Sequence, residues 1–143
     1  MKDLASLLHR TGQIMDESRW NVLRPFGLTP RQYLLLQCYA ASDGMSQTDA
    51  VAATGVDRST LADVSRRLLK GGFIQRKRTR HDARMYEVRV TVLGRSVLTK
   101  AEPDIRAADA AVLAGLDDIE QTRLSLMLSK IQPVSAPGGK APA

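Results

Sequence analysis

Apolar residues recur every three to four positions along most of this chain. The recurrence breaks at glycine, proline and capping residues, in places that divide it into helices. Residues 3–23 carry Leu4, Leu7, Leu8, Ile14, Met15, Val22 and Leu23 at helical spacing, with Thr11 and Ser18 filling the stripe. Pro25 biases Arg24 away from helix, which closes the segment, and Gly27-Leu28 make the turn. Thr29 is a cap for the next helix, Pro30 suits its first position, and Gln32 reaches back to complete a capping box. The run YLLLQCYAA that follows is apolar nearly all round, the mark of a buried helix. Asp43-Gly44 then turn the chain, and Met45 supplies a short strand residue to a later hairpin. Ser46-Gln47-Thr48-Asp49 repeat the capping pattern for a helix that runs to Thr54 and closes at Gly55.

The stretch from Val56 to Thr91 organises the rest. Asp57 caps a helix whose apolar residues Leu61, Val64, Leu68 and Leu69 share one stripe. Its other side carries Arg58, Ser59, Ala62, Asp63, Arg66 and Lys70, and Gly71-Gly72 end it. Phe73-Ile74 begin a strand that continues through Arg78. The return strand alternates, with Tyr86, Val88 and Val90 on one face and Met85, Glu87 and Arg89 on the other. Between the strands lies a basic tip, Thr79 to Arg84. There Asp82 is expected to pair with a nearby arginine while Arg80 and Arg84 project outward, an arrangement suited to a narrow minor groove. Two short helices separated by a glycine turn form a helix-turn-helix, with the second placed for a major groove.

Thr91 opens a long helix striped by Leu93, Val97, Ala101, Ile105, Ala108, Val112 and Leu116, with Pro103 expected to kink it. Gly115 to Asp118 are a break and a fresh cap, and the last helix shows Leu124, Met127, Leu128 and Ile131. The terminal helices have little to bury against a compact winged unit, so their stripes imply a partner, most simply a second copy. The fold class expected is mainly α with a small β-hairpin wing. Residues 1–132 form a single domain: a winged helix-turn-helix over 28–91 and dimerisation helices over 3–24 and 92–132. The Pro-, Gly- and Ala-rich tail 133–143 is expected to be disordered.

Charge sharpens this picture. Between Arg58 and Arg95 eleven Lys and Arg face three acids, a local balance of +8 in a chain whose total is +6. The basicity is concentrated, and a concentrated patch on a small domain meets polyanions through counterion release. An aromatic share of 4% argues against single-strand binding by base stacking. The one cysteine, Cys38, allows no internal disulfide, fits a reducing cytoplasm and reads as a small buried hydrophobe. No apolar run approaches a membrane span and Asp3 follows closely on Lys2, so neither a membrane segment nor a signal peptide is expected.

These residues resemble the MarR family of bacterial transcriptional regulators. LTPRQYLLL is similar to the family's second helix, and MSQTDAVAATGVDRSTLADVSRRLLKGGFI to its helix-turn-helix. RHDARMYEVRVTVLGRSVL resembles its wing, with the pair Asp82 and Arg84 and the step from Thr91 to Gly94 into the long helix. LAGLDDIEQTRLSLMLSKI is similar to its final helix, so the resemblance spans about residues 4–132. It implies an obligate homodimer on a pseudo-palindromic double-stranded DNA operator, usually as a repressor released by a small aromatic, phenolic or acyl-thioester ligand. Carried over, Arg58, Ser59, Thr60, Asp63, Arg66 and Arg67 belong to the major-groove helix. Arg84, oriented by Asp82, enters the minor groove with Arg80 on phosphate, and Ser46 and Thr48 anchor the backbone. Asp63 stands where a basic residue is frequent; it either accepts from a cytosine amino group or braces Arg66 or Arg67.

The family's effector cleft borders the first two helices, where His9, Arg19, Trp20, Arg24 and Tyr33 are the candidates. An arginine near a tryptophan is suited to an aromatic carboxylate or to a thioester cofactor's phosphates; the alternative is that Trp20 seals the core and the arginines are surface. His9 and His81 lack ligand spacing with Cys38, so no metal or cofactor is expected. No nucleophile-base constellation or phosphate-cradling glycine loop is legible, so no catalytic residue is assigned. The rival reading is a basic architectural DNA-binding protein without ligand control.

Overall fold

A computed structural model describes residues 3–79 and 86–132. The elements are α1 (Leu4–Leu23), a 3-10 turn (Arg24–Phe26), α2 (Pro30–Ala40), α3 (Gln47–Thr54), α4 (Arg58–Lys70), β1 (Ile74–Arg78), β2 (Tyr86–Val90), α5 (Val92–Val112) and α6 (Asp118–Leu128). The expected fold class, a mainly helical chain with a two-stranded wing, is the one observed.

Local chemistry sets the helix starts. Asp3, Thr29, Ser46, Asp57, Thr91 and Asp117 each accept a hydrogen bond from a backbone N–H three residues on. At Thr29, Ser46 and Asp117 the third helical residue returns the bond, completing capping boxes. Gly55 ends α3 at φ 69°, a left-handed conformation that costs glycine nothing.

The core forms around α2, which packs against α1, α3, α4, α5 and β2. Its Tyr33, Leu35, Leu36 and Tyr39 are buried with Leu23, Leu61, Leu68, Ile74, Val88 and Ile105. Leu34 is exposed, so α2 is apolar on more of its circumference than this chain alone covers.

The strands pair antiparallel with Ile74 opposite Val90 and Arg78 opposite Tyr86. On the far side of β2, Met45 bridges Val88, and the Val88 N–H donates to the Met45 carbonyl at 2.8 Å. That bridge puts the start of α3 beside the wing. Thr91 fixes the wing's root twice: its hydroxyl donates to the Gly72 carbonyl at 2.6 Å and accepts from the Gly94 N–H at 3.1 Å. A Cβ on Gly94 would collide with the Phe73 carbonyl oxygen, which is why the residue three beyond Thr91 is glycine.

Three sequence expectations change. Leu93, assigned to the α5 stripe, is 50% exposed, because the buried face is Gly94, Val97, Ala101 and Ile105. α5 ends at Val112, so Leu116 lies beyond the helix it was expected to stripe. α6 stops at Leu128, so Ile131 lies beyond the helix it was expected to stripe. The hairpin tip with Arg80, Asp82 and Arg84, and the tail 133–143, lie outside the described residues.

Candidate nucleic-acid interface

Helix α4 has two unlike sides. Leu61, Val64 and Leu68 are buried against α2 and the wing, while Arg58, Ser59, Asp63, Arg66 and Arg67 are exposed. Its start is tightly organised. The Asp57 carboxylate accepts from the Thr60 N–H at 2.9 Å, the Ser59 hydroxyl at 2.9 Å and the Thr60 hydroxyl at 2.6 Å. Those bonds, the Thr60 hydroxyl's first, favour the ionised form and lower the Asp57 pKa to about 2. The hydroxyl protons of Ser59 and Thr60 are thereby committed to the cap, leaving their oxygens as acceptors.

Asp63 braces Arg67: its carboxylate lies 3.3 Å from the Arg67 Nε, one turn along the helix. Of the two arginines named for bracing, Arg67 is the one that pairs with Asp63. Asp63, Arg67, Thr60 and Val64 line one flank of α4, facing a cleft of about 550 Å³ closed by Asp16, Glu17 and Trp20 of α1 and by the start of α2. Arg58, Ser59 and Arg66 do not line that cleft. Thr60, Asp63 and Arg67, expected on the DNA-facing helix, thus also border this cleft.

Ser46 accepts from the Asp49 N–H at 3.0 Å, and Thr48 is exposed at the second position of α3. They share a second, smaller hollow of about 250 Å³ with Gln47, Arg76, Tyr86 and Val88. Arg76 was not singled out in the sequence, although strand alternation puts it on the same face as Ile74. The guanidinium of Arg78 sits 5.9 Å from the centroid of the Tyr86 ring. Arg89 is tied to Glu87 at 3.2 Å and to Asp43 at 3.8 Å, which fastens β2 to the turn after α2.

The five effector candidates do not line one common cleft. Arg19 makes a two-pronged pair with Asp109 of α5, Nε to Oδ1 at 2.8 Å and NH2 to Oδ2 at 2.7 Å, so its guanidinium is already engaged. That pair, chiefly its hydrogen bonds, raises the Arg19 pKa. Tyr33 is buried, and burial raises its pKa. His9 is exposed on α1, and Arg24 lies 5.9 Å from the Trp20 ring. Only Trp20, 38% exposed and therefore no seal of the core, lines the larger cleft. Cys38 is half-buried with its thiol 3.6 Å from the Met45 sulfur, and burial raises its pKa, away from the reactive thiolate. Among the described residues no three His, Cys, Asp or Glu side chains gather to hold a metal, and no helix is long and apolar enough to cross a membrane.

A short capped helix, a glycine turn, a second helix that bares its cations and a two-stranded hairpin docked beside it define a winged helix-turn-helix. The chain belongs to the MarR family of transcriptional regulators, whose signature matches residues 28–86. It is 30% identical to the HTH-type transcriptional repressor Rv2887 of Mycobacterium tuberculosis, over 90% of this chain and 92% of the repressor. A crystal structure of Rv2887 in complex with p-aminosalicylic acid superposes with a TM-score of 0.69 at 29% identity, covering 90% of this chain and 98% of that one. A mutant MarR from Escherichia coli, solved with operator DNA, shares the fold with a TM-score of 0.85 at 21% identity, over 91% and 94% of the two chains.

Proposed function

We propose that this regulator acts in the cytoplasm as a homodimeric repressor, with residues 1–132 forming one domain that grips a pseudo-palindromic operator. Arg58, Ser59 and Arg66 read the major groove. Ser46 and Thr48 seat the phosphate backbone, and Arg84, with Asp82 and Arg80, reaches the minor groove. Thr60 serves the cap, and Asp63 holds Arg67 in place. The observation that carries this reading is the split character of α4, apolar residues on the core side and exposed Arg58 and Arg66 on the open side. Dimerisation is supported by Leu126 and Met127 of α6, 62% and 57% exposed, and by the exposed Leu4 and Leu7 of α1. The role is one of binding, like that of the relatives named as repressors.

Release by a small aromatic molecule fits the cleft between α1, α2 and α4, because its occupant would touch the DNA-reading helix directly. The complex of Rv2887 with p-aminosalicylic acid supports an aromatic acid as the kind of effector. Trp20, the chain's only tryptophan, is a built-in reporter of occupancy.

Selection of duplexes from a random pool, followed by anisotropy titration, tests the reading. A preferred duplex should bind at least ~10³-fold more tightly than a scrambled one. Its affinity should fall steeply with salt. Tight but indiscriminate binding would favour an architectural protein, and absence of salt-sensitive binding would remove DNA altogether.

A further inference from the structure

We infer that Tyr39 is a positioning residue for DNA reading: the buried hydrogen bond between its hydroxyl and that of Ser65 sets the roll of α4 about its own axis. The two oxygens lie 2.8 Å apart, one on α2 and one on α4. Ser65 is 0% exposed and Tyr39 1% exposed, and apart from tyrosines Ser65 is the one polar residue that the described core buries. Among the described residues no other side-chain hydrogen bond joins α4 to another helix.

The rest of the contact is Leu61, Val64 and Leu68 against apolar neighbours, and such packing is nondirectional. Apolar contacts set no hydrogen-bond direction, and a roll of roughly 20° carries a side-chain tip about 5 Å from the helix axis through about 2 Å. Base-edge hydrogen bonds tolerate only about 2.7–3.2 Å between heavy atoms, so that roll is enough to lose them. Phosphate contacts follow charge and survive it. Ser65 is the immediate neighbour of Arg66, and α2 also packs against α1 and α5, so the bond references the reading side chains to the helix that carries the whole fold.

This inference rests on α4 being the DNA-reading helix. The test compares Tyr39→Phe, Ser65→Ala and the double variant with the wild-type protein, on a duplex selected from a random pool and on its scrambled counterpart. Tyr39→Phe leaves Ser65 free to donate to a backbone carbonyl within its own helix, so the buried hydroxyl is not orphaned and the fold survives. Each single variant should lose at least tenfold in the ratio of the two affinities. Its salt dependence and its affinity for the scrambled duplex should stay within about twofold of wild type. The double variant should lose no more than either single, because one bond is removed in all three. Should Tyr39→Phe fail to fold, Ser65→Ala carries the same readout. A folded variant with an unchanged ratio overturns the positioning role, and so does an equal fall in both affinities, the mark of mere destabilisation. A wild-type protein without any preference overturns the DNA reading as well.

Discussion

Helices α4 and α6 begin alike and end up in opposite circumstances. Each is opened by an aspartate, Asp57 or Asp117, that accepts from the backbone three residues on, and each is rich in leucine. α4 buries Leu61, Val64, Ser65 and Leu68, whereas α6 buries none of its residues and leaves Ile119, Leu126, Met127 and Leu128 exposed. Capping grammar is local and says only where a helix starts. What a helix covers depends on whether its partner lies in the same chain, and among the described residues α6 finds none.

The sharpest way to break that contrast is to make the open stripe polar. Leu126→Gln with Met127→Gln should leave the helical circular dichroism of the chain unchanged. Sedimentation should show monomers at micromolar concentration, and operator affinity should drop at least about 100-fold, near 2.7 kcal/mol. A variant that remains a tight dimer would remove α6 from the interface.

On α4 the matching test is Arg66→Ala. It should cost about 1–3 kcal/mol of binding to the preferred duplex and relax preference at one base pair, with the salt slope nearly unchanged. A lowered slope with intact preference would demote Arg66 to a phosphate contact. Gly94→Ala asks instead why the wing stays docked beside α4. The new methyl meets the Phe73 carbonyl, and overpacking of this kind should lower unfolding stability by about 1–3 kcal/mol in urea.

How much of this was legible beforehand follows the range of each interaction. Caps at Thr29, Ser46, Asp57, Thr91 and Asp117 are written within four residues, and all were readable. That Met45 adds a strand residue to the hairpin was readable from a lone apolar residue between turn and cap; its partner Val88 was not. The partners Arg19 and Asp109 stand ninety positions apart, so nothing local announced that the guanidinium was spoken for. Ser65 lies at the margin of the α4 stripe, where a serine reads equally as surface or core until Tyr39 is brought to it. That Asp63 and Arg67 border a cleft needed the placement of α1, which only the fold supplies. Residues 80–85, the basic tip on which the minor-groove expectation rests, lie outside the described structure.

Asp57 binds its proton with a pKa of about 2 when folded, below its ordinary 3.8. Its ionised form therefore stabilises the fold fully above about pH 4, and that contribution is lost as pH falls toward 2. Asp57→Asn keeps an acceptor oxygen without the charge. The stability gap between wild type and Asp57→Asn, followed by urea unfolding, should be constant near neutrality and shrink between pH 4 and pH 2. A gap that is flat across the window would mean the cap holds without its charge.

The smallest effect should come from the Asp63–Arg67 pair. Both side chains are more than half exposed, and such one-turn pairs contribute about 0.3–0.5 kcal/mol. Asp63→Ala should therefore barely move the thermal midpoint. If the pair braces Arg67 on the cleft flank, the substitution should alter the response of Trp20 fluorescence to added p-aminosalicylate while leaving base preference intact. If Asp63 instead reads a cytosine amino group, preference at that base pair should change and the tryptophan response should not. The two measurements decide which flank of α4 this residue serves, a distinction that its place in the sequence does not make.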